Sequence, residues 1–341
     1  MKRLTAFSLA LLLYSFAYAQ QLNMPNIGQR TFDFKDESRN RPVITELWYP
    51  TSDTLRADDK KFSPFLRNYT VRNAKFPKTK RPLIMLSHGT GGGRLTMEWL
   101  AQGLAKSGFI VAAVDHWGNT FDNKIAIEFV KPWERPLDIS FALTSLLRDH
   151  MMKDLIDQKR IGSIGFSFGG YTVIALAGGE VDLSMLRNYY KTIGRKEIEI
   201  PEYPNLIGYL DDSLVTKDAK NLPRLNDTRI KAFFAISPAL GGGFAEEYQV
   251  KNITAPVYII GSQSDSVAPV KSNAQHFHRM IHHSNYYEFP GEAGHYVILS
   301  EAIKEVKESD PIYFQDPPSV NRHQVHEKVK ELAIRFFSDK L

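Results

Sequence analysis

The chain has 341 residues, 43% of them apolar and 24% charged, with no cysteine and a formal net charge of +5. These fractions describe a globular chain and exclude a disordered or low-complexity one, and the lack of cysteine excludes disulfides, a lipoprotein anchor and a thiol nucleophile. The basic excess is slight. Clusters such as Lys60-Lys61 and Lys78-Thr79-Lys80-Arg81 are short and build no stripe interleaved with aromatics, so nucleic acid is not expected as a partner.

Lys2 and Arg3, the apolar segment from Leu4 to about Phe16 and the small-x-small sequence Ala17-Tyr18-Ala19 read as a secretory signal over residues 1–19. That segment is too short for a comfortable membrane span. Cleavage near Ala19 would leave residues 20–341 as one domain in the periplasm or outside the cell.

Residues 30–34 and 43–49 alternate as an antiparallel pair of strands joined through Asn40-Arg41-Pro42. Pro82 to Ser87 supplies the next strand, which runs into His88-Gly89-Thr90-Gly91-Gly92-Gly93. Glycines there let the backbone approach a ligand and turn its N–H groups toward negative charge. No Gly-Lys-Ser/Thr follows, so the run is not a nucleotide-binding loop. Glu98 to Lys106 is a helix, and 109–114 is a strand apolar on both faces, which means parallel pairing. Residues 119–133 form a second wall beside the site, with Trp117 and Trp133 as apolar contacts. Pro136 opens a helix over 136–149.

Arg160-Ile161-Gly162-Ser163-Ile164 reads as a buried strand, Gly165-Phe166-Ser167-Phe168-Gly169 as a sharp turn, and Tyr171 to Ala177 as a packed helix. A serine on such a turn is held at positive φ, with room only for glycine two positions to either side. The segment from about 180 to 228 is longer than a helix-to-strand connection requires. Its tyrosines and isoleucines amid charges suggest short amphipathic pieces forming a cap over Ser167. Strands follow at 230–236, at 255–261 and at 286–289, and a helix from about Val320 closes the chain.

Asp265 falls in the loop after the 255–261 strand, and His295 in the glycine-bounded loop after the last one. Nucleophile, acid and histidine thus come in the order Ser167, Asp265, His295, each beyond the C-terminal end of a strand. A serine hydroxyl needs a base near neutral pH, and His295 is the candidate, oriented by Asp265. The amides of Thr90 and Phe168 would bind an oxyanion. His88, Phe166, Trp117 and Tyr296 are placed around the substrate pocket, His88 also holding its loop by a hydrogen bond. His278 and His282 have the i, i+4 spacing of metal ligands without the glutamate of a zinc protease, so no metal is expected, and no other cofactor.

Thr45 to Pro50, Ser87 to Gly92, Val114-Asp115-His116, Arg135 to Ile139 and Gly165 to Gly170 together resemble the dienelactone-hydrolase-like and platelet-activating-factor-acetylhydrolase-like branch of α/β-hydrolases. The resemblance implies an α/β-hydrolase fold, a mostly parallel sheet flanked by helices, and a serine esterase acting on a small or lipid-like ester. Two departures limit it: there is no cysteine nucleophile, and Phe166 stands where the acetylhydrolases commonly carry histidine. Amide cleavage, acyl transfer and a binding module on a hydrolase scaffold are the other readings compatible with these residues.

Overall fold

The computed structural model describes residues 26–213, 215 and 222–341. The signal segment 1–19 lies outside them, as do several positions of the expected insertion. Two long strands, β1 (Asn26–Asp36) and β2 (Arg41–Thr51), pair antiparallel through a turn in which Asn40 takes φ +47°. The two-residue β3 (Val71–Arg72) lies parallel to β1 at the sheet edge. Then follow β4 (Arg81–Ser87), β5 (Ile110–Val114), β6 (Ile156–Phe166), β7 (Ala232–Ile236), β8 (Val257–Ser262) and β9 (Asn285–Phe289). Among the described residues they make one nine-stranded sheet in the order β3-β1-β2-β5-β4-β6-β7-β8-β9. From β5 to β9 every pairing is parallel, and β2 joins β5 antiparallel.

Alternation along the central strands explains why the sheet is covered twice. Leu83 and Met85 of β4, Ile110, Ala112 and Val114 of β5, and Phe233 and Ala235 of β7 enter one core. Their neighbours Ile84, Leu86, Val111, Ala113, Phe234 and Ile236 enter the other. Side chains two apart share a face, so a strand apolar at every position must be buried on both sides. The first face is closed by α2 (Glu134–Arg148), α3 (Phe168–Ala177) and α6 (Ala274–Met280). The second is closed by α1 (Glu98–Lys106) and the C-terminal α9 (Arg322–Lys340).

Between α3 and β7 the chain forms α4 (Leu183–Lys191), the short α5 (Arg195–Ile198) and a 3-10 turn over Leu206–Tyr209. The Asp182 carboxylate caps α4 by accepting from the Met185 amide. Leu186, Tyr190, Ile198, Leu206 and Leu210 form a third apolar cluster with Phe129, Val130 and Trp133. Between β9 and α9 lie α7 (Lys304–Ser309) and α8 (Pro311–Phe314).

Candidate active site

Ser167 sits between β6 and α3 at φ +57°, ψ −118°. Its amide donates to Ile236 O of β7 at 2.9 Å, and its carbonyl accepts from Tyr171 N and Ala239 N, each at 3.1 Å. Backbone crowding makes the turn possible only with glycines: a Cβ on Gly165 would lie 2.2 Å from Gly169 O, and one on Gly169 would lie 2.1 Å from Ser87 O. Strain at a β-carbon-bearing residue persists only where its surroundings over-determine it, and such places cluster at functional sites.

His295 opens a 3-10 turn after β9, and its Nε2 is 2.9 Å from Ser167 Oγ. Its Nδ1 is 2.7 Å from Asp265 Oδ2. The other carboxylate oxygen of Asp265 accepts from Val267 N at 3.0 Å and Ala268 N at 2.7 Å. With Oδ1 taken by two backbone amides, Oδ2 is placed to accept from the ring, and the imidazole proton belongs on Nδ1. Nε2 is then left to accept from the serine hydroxyl. All three side chains are nearly closed to solvent. Phe166 packs its ring 4.8 Å from the His295 ring and Tyr296 meets it edge-on at 5.3 Å, which fixes the plane of the imidazole.

A cleft of about 700 Å³, including its open mouth, is bordered by Ser167, His295, Thr90 and Phe168 on the sheet side. Leu186, Ile198, Ile200, Leu206 and Leu210 of the 183–210 segment border the same cleft. Phe168 is the first residue of α3, so its amide has no partner within the helix. Two carboxylates tie the 183–210 segment down. Glu197 accepts from Ser272 Oγ at 2.8 Å, Asn273 Nδ2 at 3.0 Å and Tyr189 Oη at 2.5 Å. Glu202 accepts from Tyr296 Oη at 2.9 Å through one oxygen, while the other has no hydrogen-bond partner. Burial pushes the Glu202 carboxyl above the usual glutamate range.

The four residues expected around the pocket stand elsewhere. His88 is fully buried behind its loop, because its ring is spent on backbone partners: Nδ1 is 2.6 Å from Gly89 O and Nε2 is 3.2 Å from His116 N. Phe166 lies beneath the His295 ring instead of lining the cleft. Trp117 turns away to stack under the Arg41 guanidinium, 5.5 Å from its ring centre. Tyr296 holds Glu202 from outside the cleft wall. Trp133 is buried in the third apolar cluster. As for the histidine pair, α6 ends at Met280, two residues before His282, and His278 pairs with Ser284 Oγ at 2.8 Å. Among the described residues no group of three or more histidine, aspartate and glutamate side chains could hold a metal ion.

Other polar residues at the site have no role legible in the sequence, although Arg135, His116 and Asp138 fall in stretches that carry the family resemblance. Arg135 is buried and reaches His88 O, Gly89 O and Asn119 Oδ1. Behind it His116 lies between Ser87 Oγ (2.8 Å) and Asp138 Oδ2 (3.0 Å), with both rings of the His88–His116 pair closed to solvent. Glu197 and Glu202 come from the 183–210 segment, where a carboxylate reads as a solvated surface group until the fold turns it inward.

Residues 62–131 match the family model for platelet-activating factor acetylhydrolase, isoform II. That stretch contains the Ser87–Gly93 loop but none of Ser167, Asp265 and His295. A platelet-activating factor acetylhydrolase from Bos taurus is 32% identical over 139 aligned residues, covering 28% of this chain and 31% of the relative. The match thus spans about a third of that protein. The ferulic acid esterase from Streptomyces cinnamoneus superposes with a TM-score of 0.62 at 18% identity, over 94% of this chain and 91% of that one. The chain has the α/β-hydrolase fold, and over residues 62–131 its sequence is similar to the isoform II acetylhydrolases.

Proposed function

We propose that the chain hydrolyses carboxylic esters through an acyl-enzyme formed on Ser167. His295 takes the hydroxyl proton as Oγ attacks the ester carbonyl and passes it to the departing alkoxide. Asp265 holds the ring tautomer and stabilises the imidazolium. The Thr90 and Phe168 amides receive the oxyanion, the latter aided by the N-terminal end of α3. Water then repeats the sequence in reverse and frees the acid. The observation that carries this reading is the unbroken line Ser167 Oγ–His295 Nε2–Asp265 Oδ2, at 2.9 and 2.7 Å, beginning on a strained serine. The apolar cap wall favours short- to medium-chain acyl groups, and the esterase and acetylhydrolase names of the similar proteins agree with ester chemistry. The signal-like segment 1–19 supports export.

Fluorophosphonate labelling and a series of p-nitrophenyl esters, set against peptide amides, test the proposal. Ser167→Ala should abolish labelling and lower turnover by roughly 10⁴–10⁶-fold with the fold intact. A folded Ser167→Ala protein that keeps most of its ester turnover rejects it, and amides cleaved better than esters would make it an amidase.

A further inference from the structure

We propose that Arg135 is the positioning residue of the oxyanion hole, clamping the His88–Thr90 backbone so that the Thr90 amide faces the cleft. The inference rests on the esterase reading and adds to it the residue that sets the donor. Arg135 lies in the first turn of α2, almost wholly buried. Its Nη1 donates to His88 O at 2.5 Å, and its Nη2 to Gly89 O at 3.2 Å and Asn119 Oδ1 at 3.0 Å. The same guanidinium lies 4.4 Å from the centre of the Phe168 ring. One cation therefore touches Phe168 and the Gly89–Thr90 peptide that carries the Thr90 amide.

Peptide geometry supplies the direction. In a planar trans peptide the C=O of one residue and the N–H of the next point oppositely. Gly89 O is drawn backward by three donors: Arg135 Nη2, His88 Nδ1 at 2.6 Å and Gly92 N at 3.2 Å. The Thr90 N–H on that same peptide must point the other way. The neighbouring amides are committed, Gly91 N to Asn119 Oδ1 at 2.8 Å, Gly92 N to Gly89 O and Gly93 N to Thr96 Oγ1 at 2.8 Å. Within Thr90–Gly93 the Thr90 amide alone has no acceptor among the described residues, and Thr90 borders the cleft with Ser167.

The environment of Arg135 argues against a role in stability alone. Its Nε is buried without a partner, and its fork is spent on carbonyls and an amide oxygen with no carboxylate in contact. A buried cation held this way is costly to fold around. What it supplies is positive charge directly behind a peptide whose N–H must meet a developing anion, in a place closed to water. His88 works alongside it. The His116 amide donates to His88 Nε2, so the imidazole proton sits on Nδ1 and points at Gly89 O.

The test compares Arg135→Met with wild type, counting active sites by fluorophosphonate and measuring kcat, KM and inhibition by an alkyl boronic acid, whose tetrahedral adduct puts an oxygen in the hole. The expected result is a fall in kcat of roughly 10²-fold or more, as for loss of one oxyanion donor, with KM nearly unchanged and boronate affinity falling in parallel. Arg135→Met with wild-type kcat per titrated site overturns the proposal. Should that variant fail to fold, His88→Leu against His88→Asn decides: the asparagine amide can restore the donor to Gly89 O, so Asn should recover kcat and boronate affinity that Leu loses. Equal kcat in both, near wild type, overturns it. A wild type without Ser167-dependent ester turnover would instead defeat the underlying esterase reading.

Discussion

Around Ser167 the limiting resource is space between backbones. The carbonyl of Ser87 occupies the place a side chain at 169 would need, and a backbone carbonyl anchored at a strand end cannot swing aside as a side-chain tip can. Gly169→Ala should therefore cost at least the 1–3 kcal/mol typical of overpacking and displace Oγ from His295. Thermal melts and the rate of fluorophosphonate labelling read both effects. Gly294→Ala is the matched control. It adjoins His295 but has φ −93° and nothing within 4 Å of the added methyl, so it should stay within about 0.5 kcal/mol of wild type and keep its labelling rate. A Gly169→Ala protein as stable and reactive as Gly294→Ala would refute the steric account. The need for small residues around Ser167 was legible from five consecutive letters, because the constraint is local. Arg135 was not: it lies in α2 while its partners come from the loop after β4, Asn119 and the start of α3, and only the fold brings them together.

At the level of elements, the 183–210 segment forms one side of the cleft. Its apolar side chains reach the same space as Ser167 and His295, and Glu197 fastens it to Ser272 and Asn273 at the start of α6. Leu186→Ala combined with Leu206→Ala should enlarge the cleft and shift preference toward longer acyl chains. About 1–3 kcal/mol of discrimination attaches to each methylene in such a pocket, so the ratio of kcat/KM for octanoate over acetate esters should rise roughly tenfold or more. An unchanged ratio would mean the acyl group lies elsewhere. The existence of amphipathic pieces here could be read from tyrosines and isoleucines spaced among charges, and the parallel strands from runs apolar at every position. Two strand features were hidden. β3 has only two residues, and Asp157 to Arg160 of β6 are polar, lying where the β4–β6 register jumps from Arg81–Ile156 to Leu83–Ile161 before the buried half begins. Hydrophobic patterning reports burial, so a strand segment that bulges away from the buried ladder leaves little trace.

Taken as a whole, the molecule keeps three histidines neutral in its interior, and this sets its response to acid. Burial, then Arg135 and the neighbouring His116, hold His88 well below the usual histidine range; burial, then Arg135, Arg41 and Arg39, do the same for His116. His326 is lowered to about 3, chiefly by burial, where it stacks 3.8 Å over Trp99 and bonds Val297 O at 2.8 Å. A histidine whose folded pKa is depressed contributes stability that is complete above its unfolded value of about 6.5 and is lost as pH falls toward the folded one. Each such group removes about 1.4 kcal/mol per pH unit in that window, so the three together remove about 4. Glu98, Asp115 and Glu202, all raised by burial, act in the opposite sense, but only below their own raised values. Asp59, held low by the Arg56 hydrogen bond, adds to the loss once pH drops through the ordinary carboxylate range. Against a total stability of about 5–15 kcal/mol, a loss of this size is large enough to read by denaturant titration. Urea titrations at pH 8, 7, 6 and 5 should show a plateau and then a steep decline below 6.5. In His326→Gln, where a side-chain amide can still donate to Val297 O, that decline should be shallower by about a third, since one of three protons no longer separates the folded from the unfolded chain. Equal stability at pH 7 and pH 5 would mean that these imidazoles reach water in the native state, which the closed packing around Trp99 and behind the oxyanion loop does not allow.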